Sequence, residues 1–297
     1  MKKDLLLLPV AITAISSASI LIRLTNADPV AITFWRLAIA TAITAVVAEA
    51  SGRGVKIGNW WASAAVAGAF LAVHFISWIA SLFYTTIAIS TTLVNLHPLV
   101  MLAVSRYGLA ERITKRTVLG VVASVAGSSL MFLAALRLGG TNPTGALLAL
   151  IGALAFSGYL SVGRLVRSKA DTFSYTVVAY GFAALFALLA SLLLGARLFG
   201  YSPEVYLLFA AIAMVPMLLG HTIFNYLLGR YRAITVAVSA LGEPVGATLL
   251  AMPAFGQTPT PSVLAGMALI LAGVAVVSVE EAQPRKPLAR ASASIYD

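Results

Sequence analysis

The sequence lacks cysteine and contains few charged residues. None of its 297 residues is cysteine, only 10 are acidic, and charged residues make up 10% of the chain. The absence of cysteine excludes disulfide bonds, thiolate metal sites and a cysteine nucleophile. Hydrophobic residues make up 60% of the chain, whereas about 25% of the residues of a typical soluble domain are charged. Water is therefore not the expected solvent for most of this chain.

Motifs that bind phosphate or hydrolyse bonds are also missing. The sequence has no GxxxxGK[ST] loop for ATP, no HExxH or GxSxG motif and no HxxxH pair. We therefore expect no metal ion and no cofactor. A membrane-embedded enzyme would need an acid and a base inside the membrane, and the apolar stretches offer no pair of carboxylates at their middles.

Long apolar stretches fill most of the sequence, and each is long enough for a transmembrane helix. Such a helix needs about 20 mostly apolar residues to cross a bilayer core about 30 Å thick. Ten stretches qualify: residues 5–23, 29–48, 60–83, 87–105, 117–136, 143–163, 172–195, 204–228, 233–252 and 262–279. The sequence therefore predicts an all-α integral membrane protein with ten transmembrane helices. Residues 283–297 are polar and contain proline, and they are predicted to form a disordered cytoplasmic tail.

The net charge of +10 is distributed in a way that argues against a nucleic-acid surface. Basic residues lie in short gaps between apolar stretches rather than on one exposed face. Alternate gaps hold 16 of the 20 Lys and Arg residues, and such enrichment marks the cytoplasmic side. We therefore predict a multi-pass protein of the cytoplasmic membrane with both termini in the cytoplasm. The 16 residues are Lys2, Lys3, Arg53, Lys56, Arg106, Arg112, Lys115, Arg116, Arg164, Arg167, Lys169, Arg230, Arg232, Arg285, Lys286 and Arg290.

The two halves of the chain repeat several landmarks in the same order. A shift of 146 residues aligns Pro98 with Pro244, Gly120 with Gly266 and Gly127 with Gly273. Shifts of 141 to 143 align Ser16 with Ser157, Arg23 with Arg164, and Ala27-Asp28 with Ala170-Asp171. A repeat of five helices inserts its second copy upside down, because five is an odd number. The predicted repeats are residues 1–139 and 140–282, and shared Ala, Leu, Val and Gly content is the alternative explanation.

Loop charges support the inversion. The connection Arg106–Arg116 carries four basic residues, whereas its repeat counterpart Met252–Ser262 carries none. Equivalent loops are therefore expected on opposite sides of the membrane.

Several short motifs give the chain a resemblance to a known family. They are Phe34-Trp35-Arg36, His74-Phe75, Trp78, Ser81-Leu82, Tyr84-Thr85-Thr86, Pro98 and Glu111-Arg112 in the first half, and Gly220-His221, Asn225 and Leu241-Gly242-Glu243-Pro244 in the second. With these residues the chain resembles the drug/metabolite transporter (DMT) superfamily, and within it the EamA-type exporters. The resemblance implies inverted repeats around a central cavity, alternating access, and movement of small metabolites, often outward. Gln257 departs from the pattern, since it stands where an acidic counterpart of Glu111 would be expected.

Glu243 is the only acidic residue near the middle of a predicted transmembrane helix. Ionisable side chains are costly in hydrocarbon, so those at mid-span usually face a cavity or a partner. We predict that Glu243 binds the substrate or a coupling proton. The alternative is a protonated or arginine-paired glutamate that only locks helix packing.

His97 corresponds to Glu243 in the repeat, and each of the two residues immediately precedes a proline. Pro98 and Pro244 lack an N–H group, so a carbonyl one turn earlier loses its usual helical donor near the middle of the membrane. A helix break beside a titratable group predicts a binding wall. A break that serves only helix packing is the alternative.

His74 and His221 lie near the middles of the third and eighth predicted helices, with Trp78 and Asn225 four residues later. This spacing places each pair on one helix face, and we predict that both faces line a central cavity. Hydrogen-bonded packing histidines are the alternative. Arg36 either binds a substrate carboxylate or extends to the membrane interface, as long cationic side chains do, and we favour the interface.

Together these features predict a secondary active transporter that exports small metabolites by alternating access. Amino acids and related compounds are the first expectation, through the family resemblance alone, and efflux of amphipathic drugs is the second. A membrane-embedded enzyme, a channel and a lipid-modifying scaffold are the alternatives from other classes. The expected partners are a small-molecule substrate and the lipid bilayer. A homodimer through the repeated glycines is left open.

The charge distribution predicts where reporters fused to the chain will lie. Reporters after Lys115 and after Arg285 should be cytoplasmic, because the gaps around them are rich in basic residues, and a reporter near Gln257 should be outside. Paired fusions, one active only in the cytoplasm and one only outside it, measure all three positions. A cytoplasmic Gln257 would remove the argument for inversion.

Overall fold

All ten predicted transmembrane helices are confirmed by the structure, a computed structural model that describes residues 3–136, 142–255 and 258–283. We number the spans α1 (Lys3–Thr25), α2 (Pro29–Ala50), α3 (Trp61–Tyr84), α4 (Ile87–Gly108), α5 (Lys115–Leu136), α6 (Pro143–Arg167), α7 (Thr172–Leu194), α8 (Pro203–Leu228), α9 (Ala233–Pro253) and α10 (Pro261–Ala282). No strand occurs within the described ranges. Outside these ranges lie Lys2, Arg137, Gln257 and, in the predicted tail, Arg285, Lys286 and Arg290.

Polar caps define where equivalent helices begin. Asp28 accepts a hydrogen bond from Val30 N (2.8 Å) at the start of α2, and Asp171 accepts one from Ser174 N (3.1 Å) at the start of α7. A capping carboxylate satisfies a free N–H group and interacts favourably with the positive end of the helix dipole. The Ala-Asp pair that recurs in the sequence is therefore the N-cap of two repeat-related helices.

Helix contacts follow an inverted two-fold pattern. α3 packs against α6, and their repeat counterparts α8 and α1 pack against each other. α4 contacts α6 in the same way that α9 contacts α1, while the counterparts α2 and α7 form one contact and α5 and α10 form another. The protein is therefore an all-α membrane protein of ten helices in two inverted five-helix repeats, as predicted.

Glycines bring α5 and α10 into backbone contact. Gly120 lies against Gly273 and Gly127 against Gly266, so each contact is the two-fold counterpart of the other. A Cβ on Gly120 would come within 2.9 Å of Gly273 O. Small residues permit such close approach of membrane helices. Because these glycines pack inside the chain, they offer no free face for a homodimer.

Four spans are irregular near their middles. α1 breaks at Ser17, α4 at Asn95 and Leu96, and α9 at Leu241, while α8 contains the π-helix Ala213–His221. The breaks in α4 and α9 lie just before Pro98 and Pro244, whose missing N–H groups interrupt helical hydrogen bonding. The regular pieces are Leu7–Ser16, Ala18–Thr25, Ile87–Val94, His97–Ala103, Pro203–Ile212, Thr222–Leu228, Ala233–Ala240 and Gly242–Phe255.

Replacing Gly266 by alanine should destabilise the protein. The new Cβ would lie 2.6 Å from the Gly127 carbonyl oxygen and force the two backbones apart. Overpacking of this kind costs about 1–3 kcal/mol, which exceeds the ~1 kcal/mol that alanine gains over glycine within a helix. We expect a lower melting temperature in detergent.

Gly181→Ala is the matched control for Gly266→Ala. Its Cβ would meet only Thr41 Cγ2, at an ordinary 3.6 Å, so the melting temperature should stay the same or rise. Equal melting temperatures for the two variants would contradict the backbone contact.

Candidate functional site

Six spans surround a small cavity in the middle of the bundle, which we call the central cavity. Its volume of about 20 Å³ gives room for about one water molecule. The lining combines one carboxyl group, one amide, three imidazoles and several aromatic rings. The lining residues are Ile15, Ala18, His74, Trp78, Val94, Asn95, His97, Phe156, His221, Phe224, Ala240 and Glu243. Five of the seven predicted substrate- or proton-binding residues are therefore brought together here.

Glu243 lies at the start of the second half of α9, immediately after the break at Leu241. Its Oε2 accepts a hydrogen bond from Asn95 Nδ2 at 3.3 Å, and its Oε1 has no hydrogen-bond partner among the described residues. The Ser16 hydroxyl donates to the Glu243 backbone carbonyl at 3.3 Å. Gly246 makes this approach possible, because a Cβ there would overlap Ser16.

His97 has a similar setting in the other repeat. Ser157, the counterpart of Ser16, donates to the His97 backbone carbonyl at 3.3 Å. The His97 ring nitrogen Nδ1 lies 3.2 Å from the carbonyl of Val94, which is the carbonyl that Pro98 leaves without a helical donor. Each broken helix thus accepts one serine hydroxyl from the opposite repeat, and the two contacts are two-fold counterparts.

His74 and His221 face each other across the central cavity with ring centroids 6.5 Å apart. His74 stacks on Trp78 (6.0 Å) and Phe156 (4.6 Å), and its Nδ1 lies 2.9 Å from the carbonyl oxygen of Gly152. The stacked rings fix the orientation of His74, whereas Nδ1 of His221 has no hydrogen-bond partner in the described chain.

Asn225 does not line the central cavity. It is fully buried in a separate network, where it accepts a hydrogen bond from the Tyr159 hydroxyl (2.7 Å) and donates one to the Tyr180 hydroxyl (3.1 Å). Tyr180 in turn lies 3.2 Å from the Thr222 hydroxyl. Helical spacing predicts Asn225 on one face with His221, and in the structure Asn225 contacts tyrosines from α6 and α7 instead of the central cavity.

Arg36 lies inside the bundle and does not reach the interface, so the favoured snorkelling interpretation is wrong. Its side chain is completely buried, with the guanidinium carbon 3.8 Å from the centre of the Phe75 ring. Its only hydrogen-bond partner in the described ranges is the sulfur of Met217, at 3.6 Å. Aromatic residues surround the preceding Trp35, so α2 is packed on that side rather than exposed to lipid.

Sequence reasoning missed Asn95 and Phe156. Asn95 is a polar residue in the middle of α4, two positions before His97, and this position was a usable signal. Phe156 carried no signal of its own, because an aromatic residue in an apolar helix is usually part of the packing. Its place between His74 and His97 depends on how α6 crosses α3 and α4.

Charged side chains join the two repeats at the end of the bundle where α1 begins and α10 ends, here called the terminal end. Glu111 accepts hydrogen bonds from Ala233 N (2.9 and 3.0 Å) and from Arg164 Nε (3.1 Å). The carboxylate therefore lies at the first turn of α9, where the helix dipole favours a negative charge. Ala110 has a φ of 50°, a left-handed conformation that costs about 1 kcal/mol, and the bonds of Glu111 offset this strain.

Arg232 forms a second ionic cluster at the terminal end. It pairs with Glu281 and, at 3.3 Å, with Glu280, and it donates to the Arg112 carbonyl at 2.7 Å. The Thr117 hydroxyl donates to Glu280 at 3.0 Å. Removing one partner from such a buried ionic cluster leaves an uncompensated charge, which is strongly destabilising. The cluster therefore holds the connection between α4 and α5 against α9 and α10.

A larger cavity of about 670 Å³ lies at the opposite end of the bundle, and we call it the vestibule. Its volume is in the range of small-molecule sites. Its lining is mostly apolar and threonine-rich, and Arg23 is its only charged residue within the described ranges. The lining residues are Ile20, Arg23, Thr86, Ile87, Ala88, Thr91, Met131, Ala134, Ala135, Pro244, Ala247, Thr248, Ala251, Thr258, Pro259, Thr260 and Val263.

The repeat relation lets the two ends be compared residue by residue. The 146-residue shift maps Arg232, Glu280 and Glu281 onto Thr86, Ala134 and Ala135, and all three of these counterparts line the vestibule. Ion pairs thus close the terminal end, and small uncharged residues at the equivalent positions leave space at the other. Gln257, the counterpart of Glu111, lies outside the described residues.

Comparison with known proteins covers nearly the whole chain. Residues 4–133 and 143–279 each match the profile of the EamA-like transporter family. A search of curated proteins finds no match. One solved crystal structure superposes with a TM-score of 0.76 at 21% identity, covering 94% of this chain and 99% of that chain. The structural similarity is one of fold.

Proposed function

Because the chain belongs to the EamA-like transporter family, and with it to the DMT superfamily of membrane transporters, we propose that it is a secondary active exporter of small metabolites. Amino acids and related compounds are the proposed substrates, as the family resemblance implies. Glu243 is the proposed coupling residue, and the two repeats, residues 1–139 and 140–282, are the bodies that move against each other.

The observation that carries this proposal is that one end of the bundle is open and the other is closed. The vestibule reaches Pro244, the neighbour of Glu243, from one end, while the clusters around Glu111 and Arg232 close the other. Inverted repeats supply a second conformation in which the roles of the ends are exchanged. A carboxyl group between the two ends would then be reached from each side in turn.

The charge distribution supports one orientation of the bundle in the membrane. Basic residues are enriched at the terminal end, which indicates that this end faces the cytoplasm and that the vestibule faces outside. In this orientation the conformation is outward-facing. An exporter releases its substrate from such a state and then returns through the inward-facing one.

Glu243 is suited to proton coupling by its surroundings. It is buried, its Oε1 has no partner in the described chain, and its Oε2 receives only the neutral amide of Asn95. No ion-pair contact fixes the charge of this carboxyl group, and intramembrane carboxyl groups form proton relays in transporters. Alternate exposure to the two sides would let it bind a proton on one side and release it on the other.

Glu243→Gln should abolish gradient-driven transport while leaving the fold intact. Glutamine mimics the protonated carboxyl group with little change in volume, so expression and melting temperature should stay near those of the wild type. The measurement is concentrative uptake in proteoliposomes with an imposed pH gradient, using the compound that gives the largest thermal shift in a metabolite screen.

The control for Glu243→Gln is Glu204→Gln, since Glu204 is exposed at the start of α8. It should transport normally. Normal pH-dependent, concentrative transport by Glu243→Gln would contradict the proposed coupling role of Glu243. Severe loss of folded protein would favour a structural role for Glu243.

Glu111→Gln should shift the protein toward the inward-facing state, because it removes the charge that holds Arg164 and the N-terminus of α9. A hydrogen bond to a charged group contributes about 1.5–3 kcal/mol, so the ratio of the two states should change by about tenfold or more. A charged, water-soluble thiol reagent should then label Thr248→Cys more slowly and its repeat counterpart Leu102→Cys faster. The native chain contains no cysteine that would interfere.

Two controls make the labelling specific. Leu249→Cys is adjacent to the vestibule residue Thr248 but is exposed on the outer surface of the bundle, so the charged reagent should label it slowly in every background. Arg116→Gln removes an exposed charge from the terminal end and should change neither rate. Unchanged labelling in Glu111→Gln would show that this cluster does not set the balance of states.

The vestibule favours one alternative substrate class. Its size and mostly apolar lining fit amphipathic compounds with an anionic group near Arg23. Transport of such compounds would depend on vestibule residues more than on Glu243. The Glu243→Gln variant should therefore still transport them when the pH is equal on both sides of the membrane.

A further inference from the structure

Several buried polar atoms in and beside the central cavity have no hydrogen-bond partner among the described residues. They are Nε and Nη1 of Arg36, Oε1 of Glu243, Nε1 of Trp78, Nε2 of His97 and Nδ1 of His221. Buried polar groups are nearly always hydrogen-bonded in folded proteins, and each exception calls for an explanation. The clustering of these exceptions around one cavity points to a ligand with several polar atoms.

Arg36 is the most costly of these groups to leave unpaired. It carries a full charge, it is completely buried, and its hydrogen-bond and cation–π partners among the described residues are the Met217 sulfur and the Phe75 ring. Methionine sulfur is a weak acceptor, and a ring face compensates only part of the desolvation of a cation. A guanidinium group presents a planar fork of donors that matches a carboxylate. Arg36 is therefore a buried donor set that lacks its usual acceptor.

Glu243 supplies the opposite charge but does not pair with Arg36. No ion-pair contact joins the two groups in the described structure. Phe75 and His221 lie between Arg36 and the cavity, with ring centroids 5.1 Å apart. The region thus has a negative pole at Glu243, a positive pole at Arg36 and aromatic and imidazole rings between them.

We propose that this region is a binding site for a dipolar ion, in which Glu243 binds the ammonium group of the ligand and Arg36 binds its carboxylate. A purely cationic ligand would leave Arg36 unpaired, and a purely anionic one would leave Glu243 unpaired. Only a ligand with both groups completes the charge pairing. The inference rests on the proposed function, because it takes the central cavity as the transport site.

The ligand must displace side chains to enter. The central cavity holds about one water molecule in this conformation, and the vestibule reaches its edge at Pro244. His221 and Phe75 separate the cavity from Arg36, and His221 lies at the end of the π-helix in α8. π-Helical turns within α-helices occur frequently at functional sites.

The first test uses ligands that lose one charge at a time. L-leucine is compared with isoamylamine, which lacks the carboxylate, and with 4-methylpentanoate, which lacks the ammonium group. L-phenylalanine, 2-phenylethylamine and 3-phenylpropanoate form a second series. Affinities are measured by calorimetry on purified full-length protein without a gradient. At least one zwitterion should bind about tenfold or more tightly than both of its truncated forms.

The second test assigns the carboxylate contact to Arg36. Arg36→Gln should weaken zwitterion binding by about tenfold while changing amine binding less than about twofold, since the amine makes no contact with Arg36. Arg36→Lys keeps the charge without the fork and should give an intermediate affinity. Arg116→Gln is the matched control, because Arg116 is exposed at the terminal end and lines neither cavity, so it should not affect the discrimination.

Three results would overturn the inference. They are amines that bind as tightly as their zwitterions, an Arg36→Gln variant that weakens both ligands equally, and no zwitterion of either series binding to the wild type. If Arg36→Gln does not fold, the affinities of the ligand series for the wild type and for Arg36→Lys still test whether Arg36 binds the carboxylate. Binding is measured without transport, so failure of Glu243-dependent coupling and failure of carboxylate recognition give different results.

Discussion

Hydrocarbon supplies no hydrogen-bond partner to the backbone, and this constraint shapes the middle of the protein. A helix that is broken inside the membrane must find its missing partners within the protein. The His97 ring lies beside the carbonyl that Pro98 leaves free, and Ser16 and Ser157 donate to the backbone on either side of the two-fold axis. The His97 ring belongs to the broken helix itself, and the opposite repeat adds a serine hydroxyl to each broken helix. The breaks create the space in which a polar site can exist.

The same two-fold relation makes the differences between the repeats informative. Arg23 and Arg164 are equivalent, and each donates to the carbonyl at the end of an equivalent helix, at Thr85 (2.7 Å) and Leu228 (2.9 Å). The backbone geometry of the two ends is therefore alike. Within the described residues, only the arginine at the terminal end, Arg164, has a buried carboxylate partner, Glu111, and this pair must separate if that end is to open. In the proposed alternating-access cycle, the conformation with the vestibule open is consequently expected to be the more stable of the two.

Patterns within single helices made much of this architecture predictable. Apolar length gave all ten spans, and the repeated Ala-Asp pair, the glycines and the prolines each mark a local feature that the structure contains. The interior contacts were not predictable in the same way. Asn225 and Arg36 were placed on the correct helices, but whether a side chain meets a tyrosine, a ring face or a cavity depends on helices that are remote in sequence. Ser16 and Ser157 were visible as a repeat, yet their role became clear only when each was found against the other repeat.

The polar groups around Asn225 and those of the central cavity differ in how well they are hydrogen-bonded. Around Asn225, two tyrosine hydroxyls satisfy the amide and a threonine hydroxyl contacts one of those tyrosines, and a satisfied buried network holds its helices in one arrangement. Around Glu243 and Arg36 the polar atoms are only partly satisfied, which is unfavourable for a region whose sole task is packing. The polar groups of the central cavity therefore cost stability that the neighbouring network does not, and a ligand that satisfies them in both conformations would recover that stability during each transport cycle.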